Sequence, residues 1–164
     1  MIRALALTLA ILWSLHSGAA EAFKFHLLSE PHNLDPQNSA AGSGNYLFHN
    51  IYRGLFVYSR ERGLEPEGAE ACRRQGLTLI CKLRDWKWSD GSPITAQDYI
   101  NSFRRLLDPE NKSTQADVLF TLKNAREIWA GKRKPAELGV DAPDSRTLRF
   151  HFSENDSEFE YRLI

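Results

Sequence analysis

Cys72 and Cys81 are the only two thiols in the 164-residue chain. Both fall in stretches that read as strands, Ala69 to Arg74 and Leu77 to Arg84, joined through Gln75-Gly76. A two-residue turn at Gly76-Leu77 sets the cysteines directly opposite each other, at the short cross-strand separation that a disulfide accepts. The alternative is a pair of reduced thiols in the core. A zinc site lacks partners, because zinc takes four ligands and no histidine stands at finger spacing.

The other reactive side chains are scattered. His26, His32, His49 and His151 include no pair at i, i+3 or i, i+4, so no metal is expected. The chain holds no Gly-x-Ser-x-Gly elbow, no phosphate-cradling glycine loop and no His-Glu-x-x-His helix. Asp35, Asp90 and Asp98 sit beside turns or helix starts, where a carboxylate caps backbone amides without acid–base work. A small secreted hydrolase built on Asp90 and a distant histidine is the enzymatic alternative. The preferred reading is a non-enzyme without a cofactor.

Charge narrows the partners. The chain has 21 Lys and Arg against 21 Asp and Glu, so it carries no global field to attract nucleic acid or an anionic membrane. Lys132-Arg133-Lys134 reads as a solvated connection. With 26% charged and 11% aromatic residues the chain can build a core and does not have a disordered composition.

At the N-terminus, Arg3 precedes an apolar run from Ala4 to Leu15, and Ala20-Glu21-Ala22 offers small residues for cleavage before Phe23. Residues 1–22 read as a signal peptide, with a membrane anchor as the alternative; the run is shorter than the ~20 residues that span a bilayer. No cysteine lies near residue 20, so the expected product is periplasmic and not lipid-anchored. Its cleavage removes Arg3 and Glu21 together and leaves residues 23–164 neutral.

Several elements must position whatever site exists. Phe23 to Leu27 alternates as a strand, and Ser29 to Gly44 is a loop rich in Pro, Asn, Ser and Gly. Asn45 to Leu55 carries Leu47, Ile51 and Leu55 at helical spacing, with Gly54 as its stop. Phe56 to Tyr58 is a short strand, and Arg60 to Gly63 a turn. Trp86-Lys87-Trp88-Ser89-Asp90-Gly91-Ser92-Pro93 reads as a strand end and tight turn. Thr95 and Asp98 then open a helix to Leu107 with a capping-box pattern. Helical stretches follow over Gln115 to Leu122 and Asn124 to Ala130. Val140 to Ala142 and Thr147 to Phe152 form a strand pair around Pro143-Asp144. Glu158 to Ile164 looks like the opening of an amphipathic helix with no stop signal, which suggests an incomplete sequence or a truncated gene. The fold class is α+β or mixed α/β.

The block from Trp86 to Asp98 closely resembles the signature of extracytoplasmic solute-binding proteins of peptide ABC importers, the oligopeptide- and dipeptide-binding family 5. Five other stretches resemble that family in the same order. They are Glu30-Pro31 with Leu34-Asp35-Pro36, Ile51-Tyr52-Arg53-Gly54-Leu55, Leu83-Arg84, Ser102-Phe103-Arg104-Arg105 with Asp108-Pro109, and Leu138-Gly139-Val140 with Thr147-Leu148. The resemblance implies part of a two-lobed Venus flytrap that closes on an extended peptide and delivers it to a membrane permease. It implies a monomeric binder, with residues 23–164 the start of the first lobe plus a small extra domain.

By the same resemblance the ligand-facing edge is Ser39-Ala40-Ala41-Gly42, and Gln115 falls where relatives carry a tyrosine near the ligand. Ala40, Ala41, Gly42 and Gln115 are therefore the expected ligand-binding residues. Ala40 stands where some relatives place an acid, and Cys72 and Cys81 stand at positions usually aromatic. Family members are several-fold longer. A truncated paralogue without transport activity, or a gene remnant, is the alternative to a working importer component.

Overall fold

The computed structural model describes residues 24, 26–31, 33–38 and 42–164. The expected signal peptide lies outside them. Of the strand expected over 23–27, Phe23 and Phe25 also lie outside, and Lys24, His26 and Leu27 are not in a strand.

The core is built on a four-stranded antiparallel sheet. Its strands are β3 (Ala69–Gln75), β4 (Thr78–Leu83), β5 (Val140–Asp144) and β6 (Thr147–His151), in the order β3-β4-β6-β5. A separate hairpin pairs β1 (Phe56–Ser59) with β2 (Gly63–Pro66). The second strand of that hairpin was not legible, since Gly63-Leu64-Glu65-Pro66 has one strong apolar residue and a proline. The strand period of two holds where the sheet is buried: Leu79, Cys81 and Leu83 of β4 point inward with Leu148 and Phe150 of β6.

Against that face lies α2 (Ala96–Leu107), which buries Ala96, Ile100, Leu106 and Leu107. Phe103 of this helix packs on Phe150, with ring centroids 5.7 Å apart. Its start follows the capping pattern. The Asp98 carboxylate accepts hydrogen bonds from the Thr95 N–H at 2.7 Å and the Thr95 hydroxyl at 2.8 Å. Just before it, the Trp88–Ser92 turn closes as its residues demand. Gly91 takes φ 88°, and Asp90 accepts from the Ser92 amide and hydroxyl, which holds the Asp90 carboxyl below its ordinary range.

Three helical expectations change. The first helix, α1 (Ser43–Ile51), ends with Tyr52 already extended, so Gly54 is not its stop. Residues 115–122 form only a 3₁₀ turn, Ala116–Leu119, and α3 is the short Ala125–Trp129. Residues 158–164 also make a 3₁₀ turn, Phe159–Leu163. The two 3₁₀ turns bury Ala116 and Leu119, and Phe159 and Leu163, but each segment is too short to gain from the costly helical nucleus; in α1 only Phe48 of the apolar residues is buried, and Ile51 is exposed. The turn between β5 and β6 lies at Ser145-Arg146, two residues beyond Pro143-Asp144, which β5 includes.

The β3–β4 register pairs Cys72 with Cys81. The two are bonded, with Cα atoms 4.1 Å apart. A bulge between Ala69 and Ala71 ends the regular pairing.

Gly54 has a different task from the one expected. A methyl group there would lie 2.6 Å from the Ile164 carbonyl carbon and 2.7 Å from the Leu163 carbonyl oxygen. Both are backbone atoms, so no rotamer change relieves the clash. Gly54→Ala is expected to cost about 1–2 kcal/mol, the overpacking penalty less the smaller gain from a stiffer unfolded chain. Denaturant melts check this; an unchanged midpoint would show that the 159–164 turn does not sit on Gly54.

Candidate ligand-binding site

The segment from Asn33 to Asn38 has no regular structure of its own, yet side chains hold it closely. The Asn33 side-chain oxygen accepts from the Asp35 amide at 3.0 Å, and Asp35 accepts from the Gln37 amide at 3.1 Å. These local bonds are what Asn and Asp do in turns. The Asn38 amide then donates to the Asp35 carbonyl at 3.0 Å.

Two other elements clamp this loop. Arg105, in the last turn of α2, is bidentate to Asp35 at 2.6 and 3.0 Å and donates to the Gln37 side-chain oxygen at 2.7 Å. Gln37 in turn donates to the Ser102 carbonyl at 2.9 Å. From the 111–115 turn, the buried Ser113 hydroxyl donates to the Gln37 carbonyl at 2.6 Å, and the Gln115 side-chain amide donates to the Pro36 carbonyl at 3.0 Å. Ser113 also accepts from the Gln115 amide at 3.2 Å, so one hydroxyl joins both strands of the contact.

The base of the same loop is tied separately. The Ser29 amide donates to the Ser43 hydroxyl oxygen at 3.0 Å, and the Ser43 side chain is buried. Gly42, at φ 74°, turns the chain into α1. That positive φ suits glycine and no β-branched residue. Around this base opens a cleft of about 600 Å³, lined by Leu28, Ser29, Gly42, Ser43, Asn45, Tyr46 and His49. Hydroxyls, an amide and an imidazole beside apolar surface suit a neutral, hydrogen-bonding ligand.

The Arg105 guanidinium lowers the Asp35 carboxyl from its ordinary 3.8 to about 2, against a partial upward push from burial. A carboxyl depressed in the folded chain adds stability above its unfolded pKa, and that stability is lost as pH falls through the folded value. The pair is half exposed, so its worth is about 1 kcal/mol or less. The melting-temperature deficit of Asp35→Asn is therefore expected at pH 7 and is expected to vanish between about pH 4 and pH 2. A deficit independent of pH would contradict this assignment.

Among the residues expected at the site, Ala40 and Ala41 lie outside the described residues. Gly42 stands at the cleft. Gln115 is bound to the loop through Pro36, and no hydrogen bond joins it to Gly42 among the described residues. Ser113 gave no signal in the sequence, and Tyr46 none beyond an aromatic residue on a helix. Arg105 stands in the family-like Ser102–Arg105 stretch and His49 among the scattered histidines, without a ligand role for either; a basic residue in a last helical turn is explained by the helix dipole alone.

One further acid–base pair is present. His151 Nε2 and Asp141 lie 2.6 Å apart on the exposed side of β5 and β6, and Arg149 donates twice to the same carboxylate. Partial burial pushes the Asp141 carboxyl up, and the bonds from His151 and Arg149 outweigh it. Among the described residues no hydroxyl or thiol is hydrogen-bonded to the His151 ring. Asp90 is taken up by its own turn.

The family of bacterial extracellular solute-binding proteins, family 5, in its middle section, matches residues 64–164. This chain belongs to family 5 of the extracellular solute-binding proteins. The periplasmic oligopeptide-binding protein OppA of Haemophilus influenzae is 36% identical over 128 residues, which cover 75% of this chain and 24% of OppA. The probable deoxycholate-binding periplasmic protein YgiS of Escherichia coli K12 is 34% identical over 133 residues, 78% of this chain and 25% of YgiS. The crystal structure of Haemophilus influenzae OppA in complex with RPPGFSPFR superposes with a TM-score of 0.76 at 34% identity, over 80% of this chain and 26% of that one. The family 5 chain thus spans about a quarter of the length of the relatives it matches. Its mixed α/β fold is that of part of a periplasmic binding protein.

Proposed function

We propose that this family 5 chain supplies the N-terminal portion of a periplasmic oligopeptide-binding component of an ABC importer. It captures extended peptides without covalent chemistry and passes them to a membrane permease. The observation that carries the reading is the superposition on a peptide-bound OppA. The ordered motifs from Glu30 to Leu148 and the hydrogen-bonding cleft at Gly42 support it. Residues 1–22 act as a cleaved signal peptide in this reading, and residues 23–164 form the start of the first lobe and its small extra domain.

Backbone groups of Ala40, Ala41 and Gly42 then face the ligand as an added strand would, a mode that tolerates many sequences. Gln115 contributes from the side through the loop it holds. Native mass spectrometry of the full gene product with a pool of tri- to pentapeptides tests the reading. Retention of peptides over a background of free amino acids is the expected result. Binding of none, alongside binding of deoxycholate, would replace peptide with an amphipathic steroid as the cargo, as the name of YgiS would have it.

A further inference from the structure

The clamp on residues 33–38 is larger than a surface loop needs. Arg105, Ser102, Ser113 and Gln115 come from two elements and reach three consecutive loop residues, Asp35, Pro36 and Gln37. One of the clamping groups, the Ser113 hydroxyl, is buried. Long loops with tied ends and an internal anchor are compact Ω-type structures that often carry function. Here the tie is Ser29 to Ser43, and the anchor is Arg105 with Ser113 and Gln115.

We propose that Arg105, Ser113 and Gln115 are positioning residues for the ligand: they hold the loop so that Gly42 and Ser43 stay at the mouth of the cleft. This rests on the peptide-binding reading. The geometric reason is covalent. Asn38 and Gly42 are four residues apart, so that stretch reaches at most ~14 Å when extended. Fixing Asn38 therefore limits how far Gly42 can move from it, and the Ser29–Ser43 bond ties the chain on its other side. None of the three residues lines the cleft. Gln115, expected beside the ligand, acts in this view through the Pro36 carbonyl and without touching cargo.

The test is amide hydrogen exchange on the full gene product and its Arg105→Gln variant, with a mixed tripeptide pool as ligand. The decisive amide is Ser29, which bonds to Ser43 and does not contact Arg105. Exchange at Ser29 close to the unprotected rate in the variant, with β3 and β4 unchanged, is expected if the anchor holds the loop base. Affinity for the retained tripeptides should weaken about tenfold, as expected when the competent loop fraction falls to a tenth. Faster exchange confined to Gln37 and Asn38 would overturn the proposal, because the anchor would then act only locally. Exchange at Ser29 near the unprotected rate with unchanged affinity would also overturn it. If the parent protein binds no peptide, the functional reading falls, while faster Ser29 exchange would still support the anchoring. Gln115→Ala, which removes one exposed bond and no buried group, keeps the test available if Arg105→Gln does not fold.

Discussion

Phe159→Ala is expected to lower unfolding free energy by about 3–5 kcal/mol, the range for deleting a fully buried aromatic side chain. Phe159 is wholly buried although it lies in a five-residue 3₁₀ turn near the last residue of the chain. Its ring meets Phe152 edge-on at 4.9 Å and Phe150 at 5.3 Å. Both partners belong to the β6 segment or its continuation, so the terminal turn seals the open end of the sheet. A domain of this size has ~5–15 kcal/mol in total. The substitution would remove a large share of it and drop the melting temperature by roughly 10 °C. The neighbouring ion pairs cannot compensate: Arg74 with Glu160 is partly exposed, and Arg162 reaches Asp156 from the turn itself. Calorimetry or denaturant melts read the effect. A loss under about 1 kcal/mol would mean that the turn does not dock on the sheet.

The second largest effect concerns the hairpin. Replacing Cys72 and Cys81 together with alanine is expected to cost about 2–3 kcal/mol, from loop-closure entropy for a loop this short. Cys81 is fully buried and Cys72 partly so, and they join an edge strand to the strand at its inner side. Beyond its backbone ladder to β4 the edge strand buries few side chains, since Glu70, Ala71, Arg73 and Gln75 face solvent. Reductant should lower the melting temperature of the parent protein to that of the double variant. Two titratable thiols in unreduced, denatured protein would contradict the bond, and an unchanged melt after reduction would contradict its weight.

The register of that hairpin was legible because two local signals agreed: the Gly76-Leu77 turn and the alternation on either side. The Trp88–Ser92 turn and the capped start of α2 were legible for the same reason, since each is decided by residues within four positions. What failed was length. The apolar spacing in 115–122 and 158–164 was read as α-helix, but burial in short turns leaves the same spacing. Gly54 looked like a helix stop, and its real constraint is a backbone 110 positions away in sequence. For the candidate site, family resemblance points to Ala40, Ala41, Gly42 and Gln115, while local reading gives Asp35 a turn. That Arg105, Ser113 and Gln115 all converge on the Asp35–Gln37 turn depends on packing between α2, the 111–115 turn and the loop, which no periodicity encodes.

The central claim is that peptide sits against the loop base and the cleft at Gly42. Crosslinking with a tripeptide carrying a photoreactive phenylalanine, followed by mass mapping on the full gene product, tests it most directly. The account predicts adducts within the segment from Leu28 to His49. Adducts confined to the solvent face of the sheet, around Arg73, Ile80 and Arg149, would contradict it.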